Sequence, residues 1–290
     1  MQRCEITYES VNSASYPKPL TALVLTPDRV GDRTGAMLFT HGWGGNRYQH
    51  EDKMQAAVEA FDLVGVSVEF RQSGFDFDPV RGTGWDVPYD AGFLQVLDVL
   101  NGLRRALELY PGLDRGRIVH YRRSQGGHLA LLGAAYAPQT FAWVYATSPV
   151  SHLGPAMQEW AGRTFAPHEL RARDVEALAG AIQCPVYLEH GTADPTVPWE
   201  AHTGRLARRL EAMGKPVQAI LHEGGDHGLA PVTDRLSTFL ARAPEPLRTL
   251  RREGPDDFAL GSTVILDCGT RTLVIDWSKP AADPGLYRWE

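Results

Sequence analysis

The sequence predicts an α/β protein in which helices cover both faces of a mostly parallel β-sheet. Apolar runs of strand length alternate along the chain with stretches whose apolar residues recur at helical spacing. These stretches are long enough to connect neighbouring parallel strands. A length of 290 residues allows one large α/β domain.

The elements follow one another in a regular order. Candidate strands lie at 3–8, 20–27, 36–41, 65–70, 117–122, 141–147, 184–190 and 217–223. Candidate helices lie at 51–62, 90–109, 125–136, 199–213 and 231–242. No helix separates the first two strands, so we expect them to form an antiparallel hairpin at the edge of an eight-stranded sheet.

Two segments interrupt the alternation. Residues 150–182 are long, polar and rich in turn residues, which predicts an inserted lid over the main domain, residues 1–243. In the C-terminal extension, residues 244–290, a linker at 244–262 precedes a predicted β-hairpin at 263–277. The hairpin has three open roles: extending a sheet edge, covering the lid, or joining two subunits of a homo-oligomer.

Composition excludes several classes of protein. With 43% hydrophobic and 22% charged residues the chain is not disordered, and a net charge of −6 argues against a nucleic-acid partner. Three cysteines without metal or redox spacing favour a reducing, cytoplasmic location and no metal. The N-terminus has no signal-peptide pattern, and no apolar run is long enough to span a membrane.

Chemically useful residues follow four of the predicted strands, where open parallel sheets bind ligands. After R-I-V-H-Y comes R-R-S-Q-G-G, which places Ser124 at a tight strand-to-helix turn and aims the amide of Gln125 at a developing oxyanion. The alternative is a serine that caps the helix. After A-M-L-F-T comes H-G-W-G-G, in which the amide of Trp43 is a second candidate donor. A glycine-rich loop without chemical role is the alternative there.

The remaining two strand ends supply a carboxylate and an imidazole. Asp194 in H-G-T-A-D-P can orient an imidazole, although an aspartate before proline is also a common turn residue. His227 in E-G-G-D-H-G can accept the serine proton, with His222 and Asp226 as rival candidates. The chain order Ser, Asp, His is that of the α/β-hydrolase fold.

Residues 1–243 resemble the α/β-hydrolase superfamily. The motifs H-G-T-A-D-P-T-V-P-W and E-G-G-D-H-G are similar to those of its dienelactone hydrolase and prolyl-oligopeptidase-like branch. The resemblance implies a Ser124–His227–Asp194 triad and an oxyanion hole made by the amides of Trp43 and Gln125. It also implies hydrolysis of a small-molecule ester or amide through an acyl-enzyme, without cofactor or metal.

One residue departs from the family pattern. Arg122 stands two places before the serine, where the family has a small residue, usually glycine. The sequence leaves open whether Arg122 tilts the turn, reaches the surface at a cost of about 1–3 kcal/mol in strain, or marks weakened activity. Aromatic residues near the site, Phe75, Trp85 and Trp160, are candidates for the substrate pocket, with burial in the core as the alternative for each.

The sequence therefore predicts a serine hydrolase that cleaves a carboxylic ester, including a lactone or thioester. A small peptidase or amidase is an alternative, as is an acyltransferase or cyclase that uses the same acyl-enzyme. The third is a hydrolase-like protein whose catalysis is weakened by Arg122.

Overall fold

The computed structural model describes residues 1–11 and 16–290. The strands are β1 (Gln2–Tyr8), β2 (Leu20–Thr26), β3 (Gly35–Thr40), β4 (Leu63–Val68), β5 (Ile118–Arg123), β6 (Trp143–Thr147), β7 (Val186–Gly191), β8 (Val217–His222), β9 (Thr263–Asp267), β10 (Thr272–Asp276) and β11 (Tyr287–Trp289). The α-helices are α1 (Glu51–Phe61), α2 (Gly74–Phe77), α3 (Leu94–Leu109), α4 (Gln125–Tyr136), α5 (Pro155–Trp160), α6 (Pro167–Ala172), α7 (Arg205–Ala212), α8 (Arg235–Arg242), α9 (Pro244–Thr249) and α10 (Asp257–Leu260).

In the described residues, eight strands form one sheet in the order β1-β2-β4-β3-β5-β6-β7-β8. The pairs β1–β2 and β2–β4 are antiparallel, and every pair from β4 to β8 is parallel. The predicted mostly parallel sheet and its N-terminal edge hairpin are therefore confirmed. Because the parallel strands run in one direction, the loops after β3, β5, β7 and β8 meet at one rim.

Helices pack on both faces of the sheet, as the apolar patterns predict. One buried cluster joins the sheet to α3, α4 and α7, and a second joins its opposite face to α1, α8 and α9. Successive side chains of a strand point to opposite faces of the sheet, so each strand contributes to both clusters. In β4, for example, Val64 and Val66 belong to the first cluster and Leu63 to the second. Gly65 leaves room for α1, since a Cβ there would lie 2.9 Å from Met54 Sδ.

Helix α3 begins four residues later than the sequence pattern predicts. Ala91 and Gly92 have φ values of 54° and 127°, which no α-helix contains. Asp90 instead accepts hydrogen bonds from the amide of Gln95 and from Arg173, both 3.0 Å away. The predicted helix at 199–213 is observed as a π-helical turn, Glu200–Gly204, followed by α7.

Segment 150–182, which the sequence predicts to be an insertion, contains α5, α6 and a short 3₁₀ turn, Ala179–Ala181. The amide of Tyr89 donates to the carbonyl of Ala161 at 2.7 Å, which ties the insertion to the loop after α2. Met157 and Phe165 of the insertion are buried with Tyr89 in a third apolar cluster. The insertion therefore packs against loops at the rim where the candidate catalytic residues lie.

The C-terminal segment differs in part from the sequence prediction. The predicted linker at 244–262 forms α9 and α10, because Pro244 begins one helix and Asp256 caps the other. The predicted hairpin is observed as β9 and β10, and β11 adds a third antiparallel strand. Trp277, which is fully buried, donates from Nε1 to the carbonyl of Tyr136 at 3.0 Å and joins this small sheet to α4.

Across residues 1–11 and 16–290, no helix combines the length and apolar character needed to cross a bilayer.

Candidate active site

Ser124 occupies the strand-to-helix turn between β5 and α4. Its φ of 56° and ψ of −131° lie outside the regions that L-residues ordinarily adopt. The turn is held on both sides, because the Ser124 amide donates to Thr147 O at 3.0 Å and its carbonyl accepts from the His128 amide at 3.1 Å. Ser124 stands at the N-cap position of α4, but its side chain makes no capping hydrogen bond to the helix. Such strained, over-determined backbone is typical of functional sites.

Two glycines allow the helix to begin this close to the sheet. A Cβ on Gly126 would lie 2.8 Å from the carbonyl oxygen of Thr40, and a Cβ on Gly127 would lie 2.9 Å from Pro149 Cβ. Both distances are too short for real Cβ contacts. Only glycine therefore fits at these positions, and the amide end of α4 is aimed at the turn.

The loop after β3 lies beside the serine. A Cβ placed on Gly42 would be 4.0 Å from Ser124 Cβ. The Gly42 amide donates to Gln49 Oε1 at 3.0 Å, which fixes the loop. Within the described part of the chain, the backbone amides of Trp43 and Gln125 have no hydrogen-bond acceptor. Both predicted oxyanion donors are therefore available on elements that flank Ser124.

His227 and Asp194 form a hydrogen-bonded pair at the same rim. His227 Nδ1 lies 2.7 Å from Asp194 Oδ2, and the His227 side chain is 20% exposed whereas the Asp194 carboxylate is buried. Burial by itself favours the protonated carboxyl, but hydrogen bonds from His190 and His227 outweigh it and lower the pKa of Asp194. The ionised carboxylate accepts the Nδ1 proton, which leaves Nε2 of His227 as the basic nitrogen.

His190 is a further hydrogen-bond partner of Asp194, and the sequence analysis did not predict it. Its Nε2 lies 3.0 Å from Asp194 Oδ2 and 2.8 Å from the carbonyl oxygen of Val197. Since the carbonyl only accepts, Nε2 carries the proton, and Nδ1 accepts from Thr203 Oγ1 at 2.7 Å. The spacing His190–x₃–Asp194 after a strand was the signal that could have identified it.

The rivals of His227 and Asp194 have other partners. His222 Nε2 lies 3.1 Å from Glu189 Oε2. Asp226 Oδ1 accepts from the amides of Gly228 and Ala230 at 2.6 and 2.9 Å and so shapes the loop that carries His227. Of the described residues, none forms a hydrogen bond with Ser124 Oγ, His227 included. Catalytic hydrogen bonds are often long before substrate binds.

Aromatic side chains gather around Trp43. Its ring centroid lies 4.5 Å from that of Tyr89, 5.9 Å from that of Trp85 and 6.1 Å from that of Trp160. Trp85 and Trp160 are 42% and 46% exposed, so this aromatic cluster is open to solvent. Phe75, the third predicted pocket residue, packs instead on Tyr48 at 5.3 Å and makes no ring contact with Trp43 in the described residues.

Arg122 is buried beneath the turn, with 1% of its surface exposed, and does not reach the surface. Its Nη2 donates to Gln49 Oε1 at 3.0 Å. The glycine at 126 makes room for it, since a Cβ there would lie 2.6 Å from Arg122 Nε. The unusual residue is thus accommodated below the turn while Ser124 keeps its strained backbone.

No group of three or more His, Cys, Asp or Glu side chains that could hold a metal ion occurs among the residues described. The rim offers a hydroxyl, an imidazole that Asp194 orients and two backbone donors.

Known proteins share this architecture. The chain is similar to an acylaminoacyl peptidase of Pyrococcus horikoshii, with a TM-score of 0.69 and 18% identity over 88% of this chain and 43% of that one. It is also similar to a puromycin-hydrolyzing peptidase of Mycobacterium tuberculosis, with a TM-score of 0.66 and 18% identity over 85% of this chain and 39% of that one. The chain thus spans about two fifths of the length of these proteins.

These likenesses confirm the α/β-hydrolase fold that the motifs suggested. The sequence model of the prolyl oligopeptidase family, a family of serine hydrolases, matches residues 87–242. That span is more than half of the chain, and it includes the turn at Ser124 and the loops of Asp194 and His227. The chain belongs to the prolyl oligopeptidase family.

Proposed function

We propose that the protein is a serine hydrolase that cleaves a small carboxylic ester through an acyl-enzyme on Ser124. The observation that carries this proposal is the 2.7 Å contact of His227 with Asp194 at the rim where Ser124 has its strained backbone. A buried carboxylate that fixes the imidazole tautomer is what a general base needs to activate a hydroxyl. Family membership supports the same chemistry.

In the first half-reaction Ser124 Oγ attacks the ester carbonyl carbon, and His227 Nε2 accepts the hydroxyl proton. Asp194 stabilises the imidazolium that forms. The carbonyl oxygen becomes an oxyanion that accepts hydrogen bonds from the amides of Trp43 and Gln125. The tetrahedral intermediate collapses when the bond to the leaving alkoxide breaks, and His227 gives that oxygen its proton.

In the second half-reaction water takes the place of the leaving alcohol. His227 Nε2 removes a proton from the water as it attacks the acyl carbon, and the same amides hold the new oxyanion. Collapse returns the proton from His227 to Ser124 Oγ and releases the carboxylic acid. An acyltransferase or cyclase differs only in the nucleophile that replaces water at this step.

The aromatic cluster around Trp43 suggests the kind of substrate. Two of its members, Trp85 and Trp160, are substantially exposed beside a candidate oxyanion donor. A flat or apolar acyl or leaving group would bury that aromatic surface. We therefore expect esters with aromatic or apolar groups to be better substrates than small polar esters.

A small peptidase or amidase is the second candidate. The specific observation in its favour is that the family and the similar solved structures are named as peptidases. The two candidates differ in the leaving group. A matched pair of substrates, a p-nitrophenyl ester and a p-nitroanilide with the same acyl group, separates them by the ratio of their kcat/KM values.

The test of the nucleophile uses a fluorophosphonate probe and p-nitrophenyl acetate hydrolysis. We expect the wild-type protein to be labelled and Ser124→Ala to lose labelling and about 10⁶-fold in kcat. Ser278→Ala, in the C-terminal segment, is the matched control and should keep both. Correctly folded wild type that is not labelled, with labelling gained in Arg122→Gly, would instead assign the protein to the weakened hydrolases.

A further inference from the structure

Four basic side chains come from the end of β5 and from the starts of α1 and α8, three elements that pack together in one buried apolar cluster. Arg122, His50 and Lys53 are more than nine-tenths buried, and Arg235 is half-buried at the start of α8. Arg122 Nε and Nη1, His50 Nε2 and Arg235 Nη1 are all buried without a hydrogen-bond acceptor among the described residues. We call these four side chains the basic cluster.

The basic cluster lacks compensating charge. In the described part of the chain, neither Arg122 nor Arg235 forms an ion pair. One nearby carboxylate, Asp52, lies 3.3 Å from Lys53 Nζ and is itself 54% exposed. The three cations Arg122, Lys53 and Arg235 outnumber the two nearby carboxylates, Asp52 and the exposed Asp234, and the N-terminal end of α1 adds positive potential.

The four groups are near enough to repel one another. Burial first, and then the charges of Arg122, Lys53 and Arg235, hold the pKa of His50 well below its ordinary value. Burial also lowers the pKa of Arg122 to about 9, so its guanidinium stays charged at neutral pH. A buried, unpaired guanidinium is strongly unfavourable unless a counter-charge and hydrogen-bond acceptors reach it.

We propose that the basic cluster binds a small resident anion, of the size of chloride, between Arg122, His50 and Arg235. The unpartnered guanidinium nitrogens of Arg122 and Arg235 carry protons that an anion would accept, and His50 Nε2 would donate as well in the tautomer that protonates it. Their complete burial favours a compact inorganic ion over the charged end of a larger molecule. Nothing in the reaction proposed above requires this site.

The anion would nevertheless support the oxyanion loop. Gln49 Oε1 accepts from Arg122 Nη2 and from the amide of Gly42, both at 3.0 Å. An anion that fixes the Arg122 guanidinium therefore also fixes Gln49, and through it the loop that carries the amide of Trp43. On the other side, Arg235 Nη2 would lie 4.0 Å from a Cβ on Gly228, the neighbour of His227.

The first experiment measures thermal unfolding as sodium chloride replaces sodium gluconate at constant ionic strength and pH. A ligand that binds the native state raises Tm, here by roughly 2–4 °C for each tenfold rise in chloride above its dissociation constant. This readout is independent of activity. A Tm that does not change with chloride would overturn the proposal.

Variants locate the effect. Arg122→Gln and Arg235→Gln should each remove the chloride dependence of Tm. Arg105→Gln, at an exposed side chain of α3, should keep it. If Arg122→Gln does not fold, Arg235→Gln and the position of bromide in crystals grown with sodium bromide decide the matter. Chloride dependence retained in Arg235→Gln, or bromide density away from Arg122, contradicts the assignment.

A last arm separates a resident ion from a group of the substrate. Chloride is added to assays with p-nitrophenyl acetate and with the mono-p-nitrophenyl ester of succinic acid, which ends in a carboxylate. A resident anion leaves the KM of the succinate ester unaffected by competition. If chloride competes with that ester and not with the acetate, the basic cluster holds the substrate's carboxylate and the proposal of a resident ion is wrong.

Discussion

Two buried charged side chains, Asp194 and Arg122, flank the turn that carries Ser124, and they differ in how many hydrogen-bond partners they have. Asp194 accepts hydrogen bonds from two backbone amides and two imidazoles, those of Thr196, Val197, His190 and His227. Arg122, equally buried, has one acceptor, Gln49, and keeps Nε and Nη1 unpartnered among the described residues. Among the described residues, the protein supplies hydrogen-bond partners for both carboxylate oxygens of Asp194 but for only one of the three guanidinium nitrogens of Arg122.

The difference separates a finished hydrogen-bond network from an incomplete one. A carboxylate held by four donors has one position, so it can hold His227 in one tautomer and one orientation. A guanidinium with spare donors and no counter-charge is stable only if something else completes it. The first arrangement is suited to orienting a catalytic group, and the second to binding an ion.

The largest effect, on kcat, should come from disrupting the hydrogen-bond network around Asp194. Asp194→Asn puts an amide where the carboxylate accepts the Nδ1 proton of His227, which favours the wrong tautomer. We expect kcat for p-nitrophenyl acetate to fall by about 10⁴-fold, less than for Ser124→Ala. Asp226→Asn, on the loop of His227, is the control and should change the rate less than tenfold. An unaffected rate in Asp194→Asn would show that another carboxylate orients the imidazole.

Most of the fold could be predicted from the sequence because strong periodicity marks it. The buried parallel strands read as apolar runs, and α4 was predicted to the residue at both ends. Errors arose where a loop overrode the pattern. The start of α8 was placed at 231, but the chain becomes helical only where Asp234 accepts from the amides of Leu236 and Ser237. Strand β11 has three residues, too few for an alternating pattern to appear.

Site residues that directly follow a predicted strand could be identified from the sequence. Residues whose role depends on contacts between separate parts of the chain were harder to identify. Ser124, Asp194 and His227 could be proposed because order and position point to them. His190 was missed because the spacing His190–x₃–Asp194 is its one signal in the sequence, and its role depends on a contact with Asp194 across a turn. The basic cluster was hidden because His50, Arg122 and Arg235 come from three separate elements, and arginine is abundant in this chain.

A smaller effect, on stability, should come from adding a side chain next to Arg122. Gly126→Ala places a Cβ 2.6 Å from Arg122 Nε and 2.8 Å from the Thr40 carbonyl oxygen. We expect the free energy of unfolding, measured by urea denaturation, to fall by about 1–3 kcal/mol. Gly112→Ala is the matched control, because a Cβ there meets no atom within 4 Å, and it should stay within about 0.5 kcal/mol of wild type.

A double variant sharpens this result. In Arg122→Gly with Gly126→Ala the overlap with the arginine is gone, whereas the short distance to Thr40 remains. The loss caused by Gly126→Ala should therefore be smaller in the Arg122→Gly background than in wild type. Equal losses in both backgrounds would mean that Thr40, and not the housing of Arg122, explains why position 126 is glycine.

The smallest effect should distinguish the two charges by their response to acid. The pKa of Asp194 is lowered in the folded protein from its ordinary value of 3.8, so its ionised form stabilises the fold above that pH. This stabilisation is lost as the pH falls toward the folded-state pKa, and between pH 5 and pH 3 it should amount to about 1 kcal/mol. Urea denaturation should show a flatter acid dependence in Asp194→Asn by that amount. Arg122 stays charged throughout this range, so Arg122→Gln should keep the wild-type slope. A slope in Asp194→Asn as steep as in wild type would mean that other carboxylates account for the acid sensitivity. The hydrogen-bond partners of Asp194 would then not lower its pKa in the folded protein.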